Sequence, residues 1–222
     1  MLSSLLLSGC ATDLLRDMSK KDGEYRIISV RIYQNTPAWE LAKAVRDQNT
    51  NKIAKIAKEN PELLNYQDPK YGATLLYWAV GVEKYKSAEA LLKVGADPDI
   101  ICTYMGETPL FCAAGFSLVD NKAKTDPKYV ILLLQYGADP DIGYTGKYKE
   151  IGYTPLMNSI GCGIEKTKAL VEAGANINTQ TTQGMTAAHR ALWSMSIDQA
   201  HYLIVEKKSD LTIPYHINMV DG

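Results

Sequence analysis

Three histidines, His189, His201 and His216, are the first residues to weigh for chemistry, because an imidazole titrates near neutral pH and can act as base, acid or metal ligand. His201 and His216 stand isolated, with no nucleophile or metal partner at a useful spacing. Asp139-x-Asp141 followed by Glu150 mimics a calcium loop, yet Gly143 and Tyr144 fill its fifth and sixth positions and no glycine makes the sharp turn. Gly143 and Gly146-Lys147 lie too close together to cradle a phosphate, and Tyr148 stands where a metal-binding hydroxyl belongs. Ser117 lacks the second glycine of a nucleophile elbow. Cys10, Cys102, Cys112 and Cys162 form no C-x-x-C pair, so neither a zinc site nor a disulfide framework is predicted. The last three read as small buried or half-buried thiols. No catalytic residue, cofactor or metal is expected.

The elements that would position such residues are set by repetition. Four openings recur, at Gly72-Ala73-Thr74-Leu75-Leu76, Gly106-Glu107-Thr108-Pro109-Leu110, Gly152-Tyr153-Thr154-Pro155-Leu156 and Gly184-Met185-Thr186-Ala187-Ala188. Thr caps a helix and Pro is free of cost at the first helical position, so each opening starts a helix. A second leucine-bearing run follows, closing on Gly95-Ala96-Asp97, Gly137-Ala138-Asp139, Gly174-Ala175-Asn176 and, without glycine, Lys208-Ser209-Asp210. Glycine there supplies the left-handed residue that ends a helix, and the Asp-Pro-Asp or Asn-Ile-Asn beyond it is turn chemistry leading out to a hairpin-like finger. A unit of finger, helix, helix cannot bury its own apolar face, so neighbours must stack. A more polar unit precedes these four, opening at Thr36-Pro37 and carrying Lys52, Lys55 and Lys58 on its second helix.

These segments resemble ankyrin repeats, whose pattern is G-x-T-P-L-H with a GADxN-type ending. The resemblance covers roughly residues 36–222, in units near 36–68, 69–101, 102–148, 149–180 and 181–222. It implies an all-α ankyrin-repeat solenoid with hairpin-like fingers. It also implies that His189 hydrogen-bonds the threonine at its helix start. In the family, finger tips and the exposed face of each first helix bind a partner protein. Carried onto this sequence, those positions predict Tyr71, Tyr104, Met105, Glu107 and Phe116 as partner-binding, and then Tyr144, Tyr148, Tyr153, Met185 and Trp193. Tyr, Met, Phe and Trp are the types enriched at interface centres. Two insertions depart from the pattern, about eight residues at 117–128 and about five at 143–150, and insertions in a solenoid map to loops, often on the binding side.

Charge supports a protein partner and no nucleic acid: 24 Lys and Arg oppose 25 Asp and Glu, leaving no basic footprint. No run approaches the ~18 apolar residues of a membrane helix. Residues 1–10 end in Leu7-Ser8-Gly9-Cys10, which resembles the lipobox of bacterial lipoproteins. That resemblance implies a lipid anchor at Cys10 and a place on the bacterial envelope, the cytoplasm being the alternative. Residues 11–35 form a linker in which 24–33 alternate as a possible strand. A monomeric binding module is expected. The alternative function is an inhibitor or immunity-type protein that neutralises a toxin or enzyme.

Overall fold

The protein, as a computed structural model, is described for residues 26–214 except 117, 121 and 148. Among the described residues, ten helices stack as five pairs. The pairs are α1 (Trp39–Arg46) with α2 (Thr50–Glu59), α3 (Leu75–Gly81) with α4 (Tyr85–Lys93), α5 (Pro109–Ala114) with α6 (Lys128–Gln135), α7 (Pro155–Ser159) with α8 (Ile164–Glu172), and α9 (Ala187–Trp193) with α10 (Ile197–His201). A π turn, Tyr202–Glu206, extends the last helix. First helices pack on first helices and second on second, so the core is one continuous layer running through the stack.

Each first helix starts as its side chains dictate. Thr74, Thr108, Thr154 and Thr186 accept a hydrogen bond from the backbone three residues on, at 3.2, 3.1, 3.3 and 3.3 Å. In α9 the cap is reciprocal, since His189 Nδ1 lies 3.2 Å from the Thr186 amide and 3.0 Å from its hydroxyl. The second helices end at Gly95, Gly137 and Gly174 in left-handed conformation; Lys208 takes that role in the fifth pair, at φ 56°.

Two interactions recur between pairs. Along one edge, the second Asx of each turn accepts the amide of the first Asx in the next turn. Asp99 takes Asp139 N at 3.0 Å, Asp141 takes Asn176 N at 2.9 Å, and Asn178 takes Asp210 N at 3.0 Å, while Asn65 starts the series on Asp97 N at 2.9 Å. Inside, a polar side chain on three of the second helices reaches the carbonyls ending the first helix of the preceding unit. At the same distance before Gly95, Gly137 and Gly174 stand Ser87, Tyr129 and Lys166, and the π turn displaces the position to Gln199 in the last pair. Ser87 Oγ donates to Val45 O at 2.6 Å, Lys166 Nζ to Ala113 O and Ala114 O at 2.6 and 3.2 Å, and Gln199 Nε2 to Ser159 O at 3.0 Å. The Tyr129 hydroxyl is buried with no hydrogen-bond partner among the described residues.

The edge series contains a correctable strain. Burial, and after the opposing bond from Asp139 N the charges of Asp97 and Asp139, push the Asp99 carboxyl above its ordinary range. A raised carboxyl pKa means that this group's contribution is present at low pH and lost as pH rises through the folded value. Asp99→Asn keeps the accepting oxygen, as Asn178 does one turn later. Urea unfolding at pH 7 is expected to show the variant more stable by on the order of a few tenths of a kcal/mol, with the gap closing below pH 4.

Over the described part of the possible strand, residues 26–33, no strand forms. Residues 26–29 are turn and Val30–Tyr33 is a 3₁₀ helix with Val30, Ile32 and Tyr33 buried. A lone strand has no ladder to join here, so its apolar residues dock on the stack instead. The Tyr33 hydroxyl donates to Ala73 O at 2.9 Å and the Trp78 indole to Ile28 O at 3.2 Å.

Candidate functional site

The fingers join one another by backbone bonds. Tyr104 N donates to Tyr71 O at 2.9 Å, Thr145 N to Gly106 O at 2.8 Å, and Thr182 N to Ile151 O at 3.1 Å. Asp68, itself buried, organises the first finger by accepting the amides of Lys70, Tyr71 and Ala73 at 3.0, 2.9 and 2.8 Å. The result is a tied row of finger tips beside the ends of the first helices.

Exposed on this row are Tyr104 (52%) and Ile151 (59%), while Phe116 (47%) and Trp193 (60%) are exposed just past the end of α5 and at the end of α9. Tyr71, Met105 and Met185 are half-buried and pack against the core. The Tyr71 and Tyr104 rings meet edge to face with centroids 5.1 Å apart, and Lys70 lies over Tyr71 at 4.9 Å.

Glu107, Tyr144 and Tyr153 are corrected by the structure: they are buried and cannot present their side chains to a partner. The Glu107 carboxylate accepts the Tyr77 hydroxyl at 2.7 Å, and burial pushes its pKa upward. Tyr144 and Tyr153 turn inward onto Phe111, with ring centroids at 5.6 and 6.3 Å. Lys149 completes the layer. Its ammonium lies over Phe111 and Tyr153, at 4.8 and 5.2 Å from the ring centroids, and donates to Asn158 Oδ1. Burial lowers the Lys149 pKa. The long finger therefore folds its aromatics beneath itself, filling the middle of the face where contact residues were expected. Lys149, Asn158 and Lys166 carried no sequence signal, because each acquires its role only from the unit stacked against it. Tyr148 and Cys10 lie outside the described residues, as does His216.

The residues weighed for chemistry have structural occupations. Asp139 and Asp141 serve the edge series; His201 Nδ1 lies 3.4 Å from Glu206. Cys102, Cys112 and Cys162 are free and buried, and burial pushes the Cys102 thiol up to about 11. No His, Cys, Asp or Glu cluster among the described residues is arranged to hold a metal. No helix among them is long and apolar enough to cross a membrane.

Residues 121–214 match the family model for ankyrin repeats (3 copies). An ankyrin repeat protein of fowlpox virus (strain NVSL) is 26% identical over 189 residues, which make up 83% of this chain and 38% of the relative. The chain thus spans less than half the length of that viral protein. The bacterial setting read from residues 7–10 gains no support from it.

Proposed function

We propose, from the premise that this chain is a stack of ankyrin repeats, that it captures a partner protein on the tied finger row and the adjoining ends of the first helices. Ankyrin repeats are a protein–protein interaction module and not a catalytic one. The observation that supports this face is the exposure of Tyr104 and Ile151 on the finger row, with Phe116 and Trp193 also exposed where first helices end. Large apolar side chains left open beside a rigid scaffold are the mark of a contact surface. The buried layer of Tyr144, Tyr153 and Lys149 holds the middle of that row in place and takes no part in contact.

The test is a triple variant, Tyr104→Ala, Phe116→Ala and Trp193→Ala, used as bait in the native host against the wild type. Loss of an interface anchor weakens binding by about 2 kcal/mol, some thirtyfold for each residue that matters. The expected result is loss of the partner recovered with wild type, with circular dichroism unchanged. Unchanged recovery by a folded triple variant sinks the assignment. Neutralisation of an enzyme or toxin would use the same surface and would be read as inhibition by wild type lost in the variant.

A further inference from the structure

Four residues after the capping threonines Thr74, Thr108, Thr154 and Thr186 stand Trp78, Cys112, Asn158 and Arg190, one register position of the stacked first helices. In three of these units the position is satisfied. The Trp78 indole donates to Ile28 O at 3.2 Å, Cys112 is a buried free thiol, and Asn158 donates to Phe111 O at 2.9 Å while accepting the Lys149 ammonium. Arg190 is the exception. It is half-buried, and its Nε is enclosed with no hydrogen-bond partner among the described residues. A donor left unpaired inside a native fold is a cost that calls for a reason.

The charges around Arg190 do not supply a partner. Its guanidinium lies 5.8 Å from the centroid of the Tyr153 ring, and the Lys149 ammonium lies 5.2 Å from the same ring. Neither cation has a carboxylate at ion-pair distance among the described residues. Elsewhere on the stack Lys93 sits on Glu89 and Lys128 on Asp126, at 3.0 and 2.8 Å. Burial lowers the Lys149 pKa; Glu107 opposes that shift and Arg190 adds to it, as a neighbouring cation does. The Glu107 carboxylate is itself held by the Tyr77 hydroxyl. Two like charges are thus kept together around one ring, a local excess of positive charge in a chain whose net charge is −1.

We propose that Arg190 is a carboxylate-binding residue of the first-helix face, pairing with an aspartate or glutamate side chain of the captured protein. This contact rests on the reading that a protein partner lies along the finger row and the adjoining first helices, and it gives that partner an acidic side chain at the fifth unit. Trp193, one turn further along α9 and exposed, is its apolar neighbour. A guanidinium takes a carboxylate in two parallel bonds, one oxygen on Nε and one on an outer nitrogen, which supplies the acceptor that Nε lacks. Contact with the Tyr153 ring orients the fork in advance and reduces the ordering cost of binding. Lys149, held on Asn158 and over Phe111, adds its field without touching the ligand. So small an excess of charge suits a monoanionic carboxylate, and the lack of a wider basic footprint disfavours a polyanion.

The test pans the full chain against a random peptide library and measures a selected peptide by fluorescence anisotropy. Wild type is expected to enrich peptides carrying Asp or Glu at one fixed position. Arg190→Gln, with circular dichroism unchanged, is expected to weaken the selected peptide by about tenfold or more, and exchanging the peptide's acid for its amide does the same. Together the two changes cost no more than either alone, the mark of a direct pair. Arg190→Glu turns the enrichment towards Lys and Arg, and Arg190→Lys keeps part of the acid preference. Selected peptides with no enriched acid, additive losses, or tighter binding when phosphoserine replaces the peptide's Glu each overturn the assignment. Tyr104→Ala with Phe116→Ala separates the two readings. A peptide lost there yet indifferent to Arg190→Gln sinks the Arg190 pair and leaves the finger row standing, whereas a peptide lost only with Arg190→Gln does the reverse.

Discussion

Gly106→Ala is expected to divide the stack into two parts that unfold separately. Gly106 has φ 73°, in the region that side chains disfavour, and a Cβ on it would sit 2.1 Å from the backbone nitrogen of Gly146. The obstacle is main chain, so no rotamer change relieves it. The same contact carries the Thr145 N to Gly106 O bond that joins the second finger to the long one. Backbone strain combined with a lost junction places the cost at about 3 kcal/mol or more. In a linear array, unit stabilities and nearest-neighbour interfaces add, so weakening one central interface uncouples what lies on either side. Urea unfolding followed by circular dichroism should change from one transition in wild type to two in the variant, the lower one moved down. A single transition at the wild-type midpoint would show that the finger junction contributes nothing to coupling.

Lys166 supplies the second large effect. Its side chain is buried and its ammonium ends on Ala113 O and Ala114 O, with Gly115 O at 3.4 Å. Those carbonyls close α5 and have no continuing helix to bond. Lys166→Met fills the same volume but strands them away from water, at a cost of about 2–3 kcal/mol. Lys166→Gln should recover most of that loss, because Gln199 performs this task one unit later. Burial lowers the Lys166 pKa to about 8. A depressed folded pKa means that unfolding takes up a proton between that value and the ordinary lysine range, so this group's contribution grows as pH rises from about 8 to about 10.4. The stability difference between wild type and Lys166→Gln, measured across that window, should therefore shift in favour of wild type. A flat difference would place the ammonium in contact with water.

The helices were legible because their signals are local: a capping threonine, a proline behind it, a glycine at the end. The family pattern added the order of the units and the role of His189, whose imidazole does meet Thr186. Within the strand expected at 24–33, the described residues 26–33 were misread because alternation records which residues will be buried and not what buries them. Here Tyr33 and its neighbours are covered by the stack. The Asp-Pro-Asp turns were read correctly as turns, yet their second acceptor oxygen spans to another unit, which no window on one turn can reveal. Ser87, Lys166 and Gln199 share one task with three unrelated side chains, so pattern matching had nothing to align. Exposure was the weakest inference. The long finger's tyrosines look like contact residues in a linear chain, and only its folding back onto Phe111 makes them interior.

The Asx edge also fixes where the chain can change length. Successive rungs are separated by 32, 40, 35 and 32 residues, yet the bonds stay between 2.9 and 3.0 Å. The surplus at 117–128 and 143–150 falls between rungs, and the edge does not register it. That edge behaves as a rail with a constant gauge: it separates the part of each unit that must keep its dimensions from the part that need not. New loops could be grafted at 117–128 with the spacing of the stack preserved, which would turn an irregularity of this sequence into a socket for added binding surface.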